Sequence, residues 1–148
     1  MTRAFPLQSL LDLSQLRLDE AGRKLGELIA GEQEASKRHG LLVEYREEYR
    51  TRFVLAARDG LSPGAWQNYA SFLARLDEAI SQADAAMTRT RQRTVAGQQE
   101  WVAKRGRVRA FDTLSDRHRS RVASQDQRQD QKASDEQAAH RHEQKGKD

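Results

Sequence analysis

From Leu7 onward apolar residues return at alternating steps of four and three: Leu7, Leu11, Leu18, Ala21, Leu25, Leu28, Ala35, Leu42, Tyr49, Phe53 and Ala56. Carried from Ala4 to Ala56, that frame has 16 positions, of which 12 are apolar; Ser14, Glu32, His39 and Arg46 interrupt it. A period of about 3.5 residues held over this length is the seam of a coiled coil, not the stripe of an isolated surface helix. A second seam opens at Trp66 and runs through Tyr69, Leu73, Leu76, Ile80, Ala83 and Met87. It weakens at Thr90, Thr94 and Gly97 and resumes at Trp101, Val108, Phe111 and Val122. Small residues there, opposite Leu25 and Leu28, would let two helices keep their spacing. Gly97 still costs the helix about 1 kcal/mol relative to Ala.

Between the seams stands one cluster of helix breakers, Asp59-Gly60-Leu61-Ser62-Pro63-Gly64. Gly60 can take the left-handed conformation that closes a first helix. Ser62 can cap the second, with Pro63 in the first helical position where its missing N–H costs nothing. So short a connection forces the helices antiparallel, and pairs of residues whose numbers add to about 123 should face each other. Tyr49 then lies near Leu73 and Leu76, Leu42 near Ile80 and Ala83, and Leu18 near Arg105. Each arm of about 50 residues would reach roughly 75 Å at about 1.5 Å per residue.

After Val122 the pattern stops. Residues 123–148 contain no Leu, Ile, Val, Met or aromatic side chain, so nothing there can pack. The fold class expected is therefore all-α: a long antiparallel two-helix coiled-coil hairpin with a frayed or disordered C-terminal tail. Residues 1–122 form the hairpin, with helix one over about 5–58, a turn at 59–64 and helix two over about 63–122; residues 123–148 form the polar tail. Composition agrees with an extended helical protein. Of 148 residues, 36% are hydrophobic and 32% charged, poorer in core material and richer in charge than an average globule.

The same sequence excludes several kinds of chemistry. Without cysteine there is no disulfide, thiolate metal site or thiol nucleophile. No GxxxxGK[ST] loop or HExxH motif occurs, and His140 and His142, the two histidines close in sequence, lack third and fourth ligands to make a metal site. Carboxylate pairs such as Glu47-Glu48 and Asp77-Glu78 lie on helices with no pocket to desolvate a general acid. No enzyme and no cofactor is expected. Nothing approaches a membrane-spanning run, and residues 1–11 do not read as a secretory signal, which makes the expected location cytoplasmic.

Charge is distributed unevenly. Residues 89–121 hold ten Lys and Arg side chains against Glu100, Asp112 and Asp116, a +7 segment in a chain of net charge +4. It reads either as a solvated face paired with Asp12, Asp19, Glu20 and Glu27 on the opposing arm, or as a docking surface for an acidic partner or nucleic acid. Nucleic acid is the less favoured, because Trp101 and Phe111 fall in the seam and cannot stack on bases. A second surplus lies near the turn, where Tyr45 and Phe72 flank the seam. Either both rings fold over its edge as a wider stripe, or Tyr45, Tyr49, Phe72 and Leu76 make an exposed aromatic patch suited to binding.

These residues resemble a known family. Tyr45-x-x-Glu48-Tyr49-Arg50, a Gly-containing turn, Trp66-x-x-Tyr69-x-x-Phe72-x-x-x-Leu76-x-x-Ala79-Ile80, then Trp101, Arg105 and Leu114-Ser115-Asp116-Arg117 follow the order and spacing of the FliJ family of the bacterial flagellar type III export apparatus, across about residues 5–121. The resemblance implies a hairpin similar to the central stalk of rotary ATPases. It implies association with the hexameric export ATPase and its regulatory subunit, with the cytoplasmic or linker region of the export-gate membrane protein, and with export chaperones. The protein would then sit peripherally at the cytoplasmic face of the inner membrane. The family's gate-contacting face falls on Leu42, Tyr45, Tyr49, Phe72, Leu76 and Ala79, with departures at Arg38, where a Gln-like residue is typical, and Ala83, where a His has been seen. By analogy with the stalk, Arg105, Arg107, Arg109 and Arg117 would dock in the ATPase ring. The alternative is a generic cytoplasmic coiled-coil scaffold whose basic face binds nucleic acid or acidic partners.

Overall fold

The computed structural model describes residues 3–146. Two helices account for nearly all of them: α1, Gln8–Asp59, and α2, Pro63–Gly146. No strand occurs among the described residues. The turn between them has the expected chemistry. Gly60 takes a positive φ of 93°, which costs a glycine little and a residue with a Cβ considerably more. The Ser62 hydroxyl accepts the Ala65 N–H at 3.2 Å, satisfying a donor that the first turn of α2 leaves free.

Helix α1 begins at Gln8 rather than near residue 5. Phe5 precedes Pro6, and the ring of a proline disfavours helical backbone in the residue before it; the chain turns instead, with the Gln8 N–H reaching the Phe5 carbonyl at 3.1 Å. At the other end, α2 does not stop near residue 122 but continues to Gly146. This extension is supported locally, by alanines, glutamines and side-chain pairs one turn apart such as Gln131–Asp135 and His140–Gln144. Residues 127–146 are exposed throughout, as a segment without an apolar stripe must be. Lys147 and Asp148, the last residues of the expected tail, and Met1 and Thr2 of the expected hairpin lie outside the described residues.

Two compact units divide the chain. Unit 1 joins Met1–Asp19 to Ala103–Asp148, and unit 2 is Glu20–Val102. Within each, α1 and α2 pack antiparallel along the expected seams. Every seam position from Leu7, just before α1, to Ala56 is buried or half-buried, including the polar interruptions Ser14, Glu32, His39 and Arg46. On α2 the same holds from Tyr69 to Val122. Trp66, at the first turn of the helix, is the exception. It is 49% exposed, although its ring meets Phe53 edge-on at 4.9 Å.

In unit 2 cross-helix contacts follow the antiparallel register closely: Phe53 with Tyr69, Arg46 with Asp77, Glu32 with Arg91, Leu28 with Gly97. The small residues of α2 do keep the helices close. A Cβ at Gly97 would stand 2.5 Å from Leu28 Cδ1, so only glycine accepts the leucine as placed. Thr94 Oγ1 lies 3.3 Å from the Leu28 carbonyl and 3.0 Å from that of Thr90, one proton serving either acceptor. In unit 1 the ring of Phe5 lies against His118, centroids 5.8 Å apart, while Arg3 pairs with Asp126 and Ser14, Ser115 and Val108 are buried.

Candidate partner-binding surface

The aromatic surplus near the turn resolves into two roles. Phe72 is half-buried and lies 4.4 Å from Tyr49, centroid to centroid. Tyr49 also meets Tyr69 at 5.3 Å. Tyr45 stacks edge-on over Phe72 at 6.2 Å and remains 43% exposed. Phe72 thus belongs to the widened seam, and Tyr45 stands on top of it. The widening has a visible cause: Ala65, Phe72, Ala79 and Ala86, seven residues apart on α2, are all half-buried, forming a third file beside the two of the seam. Leu76 is 6% exposed, so it lies beneath this surface and supports it.

Leu42 and Ala79 lie farther from the turn, in an open groove between α1 and α2. Arg38 and Ala83, the two departures from the family pattern, line the same groove, with Ala35 and Ala86. Five of the six residues implied for the gate face therefore line one side of unit 2, from the aromatic rings to the alanine groove, over the buried Leu76.

The opposite edge of that seam is charged. The polar interruptions Glu32, His39 and Arg46 recur every seven residues, and each meets a partner on α2 that also recurs every seven: Arg91 at 3.8 Å, Asp84 at 4.0 Å, and Asp77. In the last pair the Arg46 guanidinium donates from Nε and Nη2 to the two carboxylate oxygens. That hydrogen bond holds the Asp77 carboxyl below the usual carboxylate range and raises the Arg46 pKa further. Periodicity alone did not reveal Asp77, Asp84 and Arg91 as partners, although their position next to Leu76, Ala83 and Thr90 in the seam was a usable signal.

The +7 segment separates into two flanks. Arg105, Arg109 and Arg119 share theirs with Asp112 and Asp116, whereas Arg107, Arg117 and Arg121 lie on the other. Arg105, Arg107, Arg109 and Arg117 are all exposed. Of the acids expected opposite the segment, Asp12 and Asp19 accept from Gln8 and Gln15 one turn away on their own helix. Among the described residues no group of three or more His, Asp or Glu side chains is arranged to hold a metal, and no helix is long and apolar enough to cross a membrane.

This hairpin, with its seams, turn and aromatic file, is matched over residues 3–147 by the family model described as "Flagellar FliJ protein". The chain belongs to the FliJ family. The flagellar FliJ protein of Salmonella typhi is 33% identical over 130 residues, covering 88% of each chain. That of Escherichia coli strain K12 is 31% identical over 130 residues, again 88% of each. The FliJ match spans both units and both helices, so the aromatic face and the arginine segment both fall within it.

Proposed function

We propose that this chain is a non-enzymatic component of the bacterial flagellar type III export apparatus, a stalk-like coiled-coil adaptor linking the export ATPase, the export gate and substrate chaperones. The observation that carries the reading is Tyr45, a large ring held 43% exposed on Phe72 and Tyr49 in a hairpin of a flagellar family. A surface-standing aromatic backed by other rings is the arrangement expected of a binding anchor: rigid, largely apolar, and costing little side-chain entropy to immobilise.

In this reading Leu42, Tyr45, Tyr49, Phe72 and Ala79 meet the cytoplasmic or linker region of the gate, supported by Leu76. Arg105, Arg107, Arg109 and Arg117 meet the ATPase ring, whose regulatory subunit and the export chaperones are further partners. Residues 1–122 supply the body of the adaptor and 123–148 its polar tail. The location is peripheral, at the cytoplasmic face of the inner membrane, and neither a cofactor nor catalysis is required.

The test is capture of the gate's cytoplasmic domain and of the export ATPase by the full chain and by Tyr45→Ala. Tyr45 is the better probe than Phe72, whose ring is half-buried against Tyr49 and whose loss would weaken the hairpin itself. The expected result is unchanged helix content and melting temperature, several-fold weaker gate capture, intact ATPase capture and slower swimming. Full gate capture by the variant would reject the aromatic face.

A further inference from the structure

One flank of unit 1 combines exposed leucines with arginines. On α2, Arg107, Leu114 and Arg121 recur every seven residues immediately before the seam positions Val108, Ser115 and Val122, and Arg117 lies beside them. In the heptad frame of α1, Leu10 and Arg17 hold the corresponding positions, before the seam residues Leu11 and Leu18, and Leu13 is next to Leu10 on the same flank. In unit 2 the corresponding positions of the two helices face each other, as Lys24–Glu100 and Tyr45–Phe72 show. Leu10, Leu13 and Leu114 are 46%, 42% and 36% exposed, and Leu16, at the margin, is 65% exposed.

The arginines of this flank are uncommitted. Among the described residues Arg17, Arg107, Arg117 and Arg121 have no carboxylate within ion-pair distance. Of the acids of the unit, Asp112 and Asp116 lie on the other side of α2, Asp12 and Asp19 on the far side of α1, and Asp126 is engaged with Arg3, while Asp130, Asp135, Glu136 and Glu143 stand on the exposed end of α2 beyond this flank.

We infer that this flank, through Leu10, Leu13, Leu114, Arg107, Arg117 and Arg121, docks on the surface of an anionic phospholipid bilayer; because Arg107 and Arg117 are shared with the proposed ATPase contact, the bilayer and the ring compete for them. Leucines interleaved with cations suit a surface that is apolar a few ångströms beneath a layer of phosphates, and the planar guanidinium fork matches phosphate oxygens. Anionic lipid attracts every basic side chain held near its surface, and salt screens that attraction. Nucleic acid would engage the arginines but leave the leucines facing a phosphate backbone, with no exposed aromatic in this segment to stack on a base. A helical protein partner would need a groove to receive its side chains; the hollow α2 shows here, at Thr113, Asp116, Arg117, Ser120 and Arg121, is shallow.

The experiment is flotation of the full chain with vesicles of phosphatidylglycerol and phosphatidylethanolamine, and with vesicles of phosphatidylcholine alone. Binding is expected to the first and not the second, and to be lost in high salt. Arg107→Glu with Arg121→Glu should lower it tenfold or more, and Leu13→Ser with Leu114→Ser several-fold. Arg109→Glu with Arg119→Glu, on the opposite flank, should change it less than twofold. All of these positions are exposed, and helix content by circular dichroism verifies that each variant folds. Because the chain has no cysteine, Leu13→Cys can carry a single environment-sensitive dye, whose emission should shift to the blue on anionic vesicles alone. Equal loss from the two arginine pairs, equal binding to neutral vesicles, no dye shift, or binding to duplex DNA without binding to vesicles would each overturn the inference.

Discussion

Within unit 2, two stretches of the same pair of helices are held together by different means. Near the turn, Phe53, Trp66, Tyr69, Tyr49 and Phe72 form a continuous chain of ring contacts between 4.4 and 5.3 Å. Around residues 28–42 and 79–97 there is no Phe, Tyr or Trp: alanines line an open groove on one edge and ion pairs line the other. Burial of large apolar area drives the first. The second owes its geometry to small residues that admit close approach, and its charges add little because they are half-solvated. A heptad repeat thus specifies where helices meet without specifying how strongly.

The sharpest test of that contrast is removal of a ring. Tyr49→Ala deletes the side chain that touches Tyr45, Tyr69 and Phe72 and should cost about 2–4 kcal/mol in denaturant unfolding; a loss under about 0.5 kcal/mol would show that the aromatic end is not the stronger. The close-approach stretch should respond in the opposite sense, to bulk added. Gly97→Leu must displace Leu28 and is expected to cost about 1–3 kcal/mol, although any side chain improves the helix propensity of the position.

The charged edge should respond less than either. Asp77→Asn removes a carboxylate whose pKa is depressed by its hydrogen bond to Arg46. A depressed pKa stabilises the fold above the ordinary carboxylate range, near pH 4, and the effect disappears as pH falls through the lowered value. The difference in melting temperature between Asp77→Asn and the parent should therefore be small at pH 7 and shrink on acidification. A difference that grows in acid would contradict the assigned pair. The smallest effect belongs to residues 127–146. Deleting them should lower total helical signal while leaving the cooperative melt within a degree or so, because none of them is buried.

Much of this was legible from spacing. The seam frame located every buried or half-buried position of α1 except Gly22 and Ala57, and the turn needed only the local rules for Gly, Ser and Pro. Three features were not legible, each for a physical reason. The start of α1 depended on Pro6 acting on Phe5. The end of α2 depended on helix propensity without packing, which an apolar pattern cannot register. The division between Phe72 and Tyr45 depended on the alanine file of α2, because the width of a seam is set jointly by both helices. Leu76, a seam position that the resemblance also assigns to the gate face, lies beneath that face.

The positive φ of Gly60 reaches beyond the geometry of one turn. The contacts α1 makes with α2 in unit 2 would be satisfied equally well by the α2 of a neighbouring molecule if residues 60–62 opened into an extended link, which leaves Pro63 at the start of α2. A residue with a Cβ at position 60 penalises the closed turn and not the open one. Gly60 therefore acts on molecularity. Its replacement by alanine is expected to raise the share of an arm-exchanged dimer with the same seams as the monomer, read by size-exclusion chromatography at rising concentration.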